Sequence, residues 1–239
     1  MEKLQKSKIT IFGDSIPKGI ISEDGQIKTL DDSAVTIIAK ECNLDITNLS
    51  SYGLTLSKVI NRNYIDNYID NIDRTCDNIA VISLGGNDSD YDWCNVAKTP
   101  NDWHDPKTTP DSFREGLINI IKKLQSNGVR VVISNIMPIN STRYYNNVIG
   151  KIADKDKVLE FLKGDIDNIY RHQELYNLII TDCARDNNCR ILDIREAFLY
   201  STNYLDYLCQ DGIHPNRLGH KKIAESVIKQ LKNNVNYVI

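Results

Sequence analysis

The chain runs to 239 residues with 41% hydrophobic and 26% charged side chains, a balance that suits one globular domain with a sizeable core. A formal charge of −3 and an isoelectric point near 5.8, without a clustered basic surface, argue against a nucleic-acid partner. No apolar run is long enough to span a bilayer, and no Gly/Ser/Pro-rich linker or internal repeat divides residues 1–239, which read as a single domain.

The N-terminal residues pass straight into a first β-type run, Lys8–Phe12, without the longer apolar stretch and small-residue cleavage site of a secretory leader. Asp31 or Asp32 is placed to cap a helix carrying Val35, Ile38, Ala39 and Cys42 on one face. A second strand, Asp45–Leu49, precedes a weaker helical stretch over Thr55–Tyr68. A third strand, Asn78–Leu84, is followed by a loop rich in acids and aromatics. Pro110 then fits the first turn of a helix with Phe113, Leu117, Ile120, Ile121 and Leu124 inward, and Asn127-Gly128 ends it. The fourth strand is Val129–Ser134. Residues 140–164 fit no simple βα unit and read as an inserted lid or a pair of short helices. A helix over Asp165–Asp186, a fifth strand Arg190–Ile194 and a last helix after Pro215 complete the chain. The strands are apolar with little polar alternation, as expected for strands covered on both faces. This alternation of strand and helix predicts a three-layer α/β/α fold around a mainly parallel five-stranded sheet.

In such a sheet, ligands bind beyond the carboxyl ends of the strands, which singles out four segments. Phe12-Gly13-Asp14-Ser15 puts a serine hydroxyl directly after the first strand, where a helical turn aims backbone N–H groups at a developing oxyanion. Ser50-Ser51-Tyr52-Gly53 offers a glycine for close backbone approach. Leu84-Gly85-Gly86-Asn87-Asp88 follows two glycines with a side-chain amide donor. Asp211-Gly212-Ile213-His214-Pro215 places a general base three residues after an acid that can fold back onto the second ring nitrogen. Taken singly, each of these also reads as an ordinary turn or helix cap.

The four segments together, in this order and spacing, resemble the GDSL esterases and lipases of the SGNH hydrolase superfamily. The family's blocks centre on a serine, a glycine, an asparagine and a histidine, matched here by Ser15, Gly53, Asn87 and His214. The resemblance runs from the first strand to the last helix. It implies a flavodoxin-like sheet and a triad of Ser15, His214 and Asp211, with an oxyanion hole from the Ser15 and Gly53 backbone N–H groups and the Asn87 amide. Asp14 is the rival for the triad acid. Three positions depart from the family pattern: Ile16 stands for leucine, Pro17 for a small polar residue and Ser50 for glycine.

Elsewhere, Trp93 and Trp103 among the acids of Asp90–Asp105 are candidates for a substrate platform, as Tyr144 and Tyr145 are more weakly. His104 sits among surface acids as a solvated side chain, and no metal or cofactor is expected. His172 and His220 fall inside helices and read as structural. Six cysteines without a CxxC spacing read as reduced thiols in a cytoplasmic protein. The expected activity is hydrolysis of a small-molecule ester of a small acyl group, such as an acetylated carbohydrate. Acyl transfer and thioester hydrolysis would use the same residues. The reading from a different class is a non-catalytic flavodoxin-like domain binding an anion at the Ser15 loop, which has no use for a base.

Overall fold

The structure, a computed structural model, describes residues 7–233; residues 1–6, on which the reading of no secretory leader rests, lie outside the described residues. Five strands form one parallel sheet: β1 (Ser7–Gly13), β2 (Asp45–Asn48), β3 (Asp77–Ser83), β4 (Arg130–Ser134) and β5 (Arg190–Leu192), in the order β2-β1-β3-β4-β5. This is the flavodoxin-like order. Side chains alternate across each strand. Ile9, Ile11 and Ile79 point to one face, while Phe12, Ala80 and Ile82 point to the other.

The first face is covered by α1 (Ala34–Glu41) and α6 (Arg217–Asn233), through Ala34, Ile38, Ile223, Ala224 and Val227. The second carries α2 (Leu56–Asn61), α3 (Tyr64–Asn71), α4 (Pro110–Ser126) and α5 (Asn168–Asp186), which bury Leu56, Ile65, Phe113, Leu117 and Tyr176. Three layers result, as the alternating pattern predicts. Among the described residues no helix is long and apolar enough to cross a membrane.

Several local expectations give way. The cap of α1 is Ser33, whose Oγ accepts from Thr36 N, while Asp32 is held by Arg217. The stretch Thr55–Tyr68 splits in two because Asn63 adopts a left-handed φ of 54°. Helix α5 starts at Asn168, three residues later than the pattern suggests. An antiparallel hairpin, Ile20–Glu23 with Gln26–Thr29, is absent from the sequence reading. Residues 140–164 form short helical pieces: Ser141–Tyr144, a π-helical stretch Tyr145–Ile149, Gly150–Ile152 and Lys155–Phe161. Their Tyr144, Tyr145, Ile149, Val158 and Leu162 build a satellite core with Trp93 and Val96.

Candidate active site

The sheet order explains why three distant loops meet. β1 lies between β2 and β3, so the loop after Gly13 is flanked by the loops after Asn48 and Ser83. Gly13 has to be glycine: a Cβ there would lie 2.3 Å from Pro17 Cγ and 2.9 Å from Ser50 Oγ. Two of the residues that depart from the family pattern therefore pack onto this one position. Asp14 N donates to Ser83 O (3.2 Å), and the Asp14 carboxylate caps the single turn Ser15–Lys18 by accepting from Ile16 N (3.1 Å). Ser15 opens that turn and is buried.

The second loop is tied to the first. Asn48 donates from Nδ2 to Pro17 O (2.7 Å) and accepts from Ser50 N (3.1 Å), and Ser51 N donates to Gly13 O (3.0 Å). Gly53 follows in a turn closed by Leu54 N to Ser51 O (3.2 Å), with φ +66°. Nothing lies within 4 Å of a Cβ built there, so its backbone angle is what calls for glycine. Lys58 Nζ donates to Gly53 O (2.8 Å).

In the third loop Gly85 has φ +129° and lies against Ile180 and Phe113. Asn87 lines the cavity beside Ser15. Its neighbour Asp88 is fully buried and ties this loop to α2, accepting from Leu56 N (2.8 Å) and Thr108 Oγ1 (2.6 Å). Nothing in the sequence singles out Asp88 or Lys58 for these roles.

His214 arrives from 199 residues further along and turns Nε2 to Ser15 Oγ at 3.0 Å. Its Nδ1 lies 2.7 Å from Asp211 Oδ2, while Asp211 Oδ1 accepts from Ile213 N and His214 N (3.0 Å each). The carboxylate in contact with the imidazole is that of Asp211, whereas Asp14 Oδ1 accepts from Ile16 N. The tight Asp211–His214 turn needs Gly212, with φ +75°, where a Cβ would lie 2.7 Å from both Asn140 O and Arg143 Cβ. Tyr52, to which no sequence pattern gives a role beyond neighbouring Gly53, stacks over the His214 ring with centroids 6.0 Å apart.

Burial pushes the Asp211 carboxyl up, but its hydrogen bond and charge interaction with His214 and the two backbone N–H groups outweigh this, and it lies below the usual carboxylate range. Burial raises Asp14 to about 6 against the pull of Ile16 N–H and the charge of His214. Burial likewise raises Asp88 to about 6. His220 is pushed down to about 4 by burial and lies between Ala34 N and Ile20 O.

Ser15, Gly53, Asn87 and His214 line one cavity of about 960 Å3. Trp93 is in its wall, with Nε1 donating to Asp90 Oδ1 (2.8 Å), as is Tyr144. Trp103 does not reach the cavity. It is 86% exposed and its Nε1 donates to Asp105 within its own loop (2.8 Å). Tyr145 is tied away to Lys155 O (2.7 Å). His104 approaches Thr99 O (2.9 Å). His172, read as structural, is in the cavity wall.

The model of the GDSL-like lipase/acylhydrolase family matches residues 11–222. No curated protein matches the chain. Among solved structures, the chain is similar to a mutant of Axe2, an acetyl-xylooligosaccharide esterase from Geobacillus Stearmophilus (18% identity, 97% of this chain and 96% of that chain, TM-score 0.64). It is also similar to LAE5, an alpha/beta hydrolase from the metagenome of Lake Arreo (19%, 93% and 94%, TM-score 0.63). A third is the esterase EstA from Pseudoalteromonas sp. (15%, 96% and 98%, TM-score 0.60). At these identities the structures establish a shared fold, while the family match spans all four sequence blocks. The chain belongs to the GDSL-like lipase/acylhydrolase family and is a carboxylic ester hydrolase of that type.

Proposed function

We propose that this chain is a serine esterase that works through Ser15, His214 and Asp211 on the ester of a small acyl group carried by a larger alcohol, such as an acetylated carbohydrate. The observation that carries the reading is the unbroken hydrogen-bonded line from Ser15 Oγ through His214 to Asp211. A domain that only binds an anion has no use for a base held against a buried hydroxyl. Ser15 Oγ attacks the ester carbonyl as its proton passes to His214 Nε2. Asp211 accepts from Nδ1–H and stabilises the imidazolium. The oxyanion is met by the Ser15 and Gly53 N–H groups and the Asn87 amide. Collapse expels the alcohol, which takes the proton from His214. Water then attacks the acyl-serine by the same route and releases the acid. Residues 140–164 contribute Tyr144, Val148, Ile152 and Phe161 to the cavity wall, which supports reading them as its cover. The six cysteines are free thiols, in keeping with a cytoplasmic enzyme.

A fluorophosphonate probe read by intact-protein mass tests the nucleophile. The wild type should gain one adduct, and Ser15→Ala should lose both the adduct and turnover with its melting temperature preserved. An adduct that persists in Ser15→Ala would overturn the assignment.

A further inference from the structure

The cavity is far roomier than an acetyl group needs, and its polar wall is mostly occupied with itself. Asp90 accepts from Trp93 Nε1 (2.8 Å), Tyr144 OH (2.9 Å) and Lys107 Nζ (2.7 Å). Asp92 caps the helix Trp93–Lys98 and holds Asn95 Nδ2 (2.8 Å). Arg171 is paired with Asp165, and Ser89 Oγ donates to Gly86 O. Two of the wall's buried polar side-chain atoms are left over. His172 Nε2 and Gln173 Oε1 are sheltered from bulk water and have no hydrogen-bond partner among the described residues, and Gln173 is only 6% exposed. Both residues line the same cavity as Ser15 and His214. They sit on α5 between Ile169 and Tyr176, at the three- and four-residue spacing that marks the helix's inward stripe. A polar group in that stripe is costly unless something pairs with it.

We propose that His172 and Gln173 form a polar subsite that takes a hydroxyl of a saccharide-like alcohol, so that the substrate is an acyl ester of a hydroxyl-rich molecule and not a fatty ester. One hydroxyl serves both: its O–H donates to Gln173 Oε1 and its oxygen accepts from His172 Nε2–H. The Gln173 carboxamide turns readily about its terminal bond, where the torsional preference is broad, and so reaches into the cavity. Burial holds His172 below the usual imidazole range, keeping it neutral. Tyr91 packs 5.0 Å from His172 and 5.4 Å from Phe161, ring to ring, giving the C–H faces of a sugar ring an aromatic surface. An alkyl chain in this space would leave both polar atoms unpaired. A site built to pair with a hydroxyl strongly rejects ligands that lack it.

The inference rests on the serine-esterase reading, and the test separates the two. The specificity constant kcat/KM is compared for a mono-acetylated methyl glycoside, p-nitrophenyl acetate and p-nitrophenyl octanoate, in the wild type, Gln173→Leu and His172→Phe. In each variant the ratio of glycoside ester to p-nitrophenyl acetate should fall at least tenfold. Melting temperature serves as the folding control, and Gln173→Leu should keep or raise it because an unpaired buried amide is removed; Gln173→Asn, one methylene shorter, is the second variant if either fails to fold. An unchanged ratio, or a wild type that prefers the octanoate to the glycoside ester, overturns the subsite. Calorimetric titration of the unesterified methyl glycoside into Ser15→Ala reads the subsite without chemistry. Binding that weakens tenfold when Gln173→Leu is added supports it, even if the wild type hydrolyses nothing, in which case only the esterase reading fails. No binding to Ser15→Ala overturns the subsite.

Discussion

Asn87 brings a side-chain amide into the cavity beside Ser15, while its neighbour Asp88 does the structural work of joining two loops. Such an amide is best used on charge that exists only in the transition state. Asn87→Ala should therefore lower kcat by on the order of 10²–10³ with KM nearly unchanged. Steady-state kinetics read this directly, and a raised KM at constant kcat would contradict the role. Asp14, two residues from the family's leucine position, makes a different kind of contribution. Its carboxyl titrates at about 6 in the folded chain but near about 3.9 when unfolded. Between roughly pH 4 and 6 the folded state holds a proton that the unfolded state has lost, so stability falls as pH rises through that window. Above about pH 6 the cost is complete, on the order of 3 kcal/mol for a shift of this size. Asp14→Asn keeps an oxygen for Ile16 N–H and removes the charge. Scanning calorimetry should find the variant more stable than the wild type at pH 8, with the gain vanishing toward pH 4; a difference that does not vary with pH would contradict the buried charge as its cause.

At the scale of elements, the turn carrying His214, the proposed base, is held from outside. Asn140 N donates to Gly212 O (2.8 Å), Arg143 Nη1 to Leu205 O (2.9 Å) and Leu208 O (3.2 Å), and Asn147 Nδ2 to Gln210 O (2.6 Å). The helical pieces that wall the cavity thus also clamp the segment leading to His214. Gly212 is the contact point, with no room for a Cβ and a left-handed φ. In Gly212→Ala the backbone angle alone costs roughly 1–3 kcal/mol, and the collision with Asn140 must be relieved by moving the turn. The expected outcome is a lower urea midpoint together with a loss of kcat larger than the loss of stability explains. Full activity in a folded Gly212→Ala protein would show that the clamp does not set the His214 position.

At the scale of the molecule, how much can be read from sequence follows from burial. The inner sheet strands are legible because parallel strands covered on both faces are apolar runs, whereas the edge strand β2 alternates exposed and half-buried residues; the ends of all five fall within two residues of expectation. The hairpin Ile20–Thr29 is not, since the strand Gln26–Thr29 is exposed and has no apolar face, although Asp24-Gly25, both with positive φ, is a recognised hairpin-turn signal. Ser15, Gly53, Asn87 and His214 are legible as four blocks because strand order is a property of the fold class. Where Trp103 and His172 lie relative to the cavity is not legible, for the opposite reason: which side chains face a cavity depends on how residues 140–164 pack, and no local pattern encodes that. The distance along the chain between Ser15 and His214 has a further consequence, for synthesis. The serine leaves the ribosome first and its base follows 199 residues later, an interval of roughly 10–40 s at about 5–20 residues per second. Through that interval the nascent chain carries Ser15 without His214, so under the proposed mechanism activity has to wait for His214 to emerge, and a product truncated before it is catalytically silent.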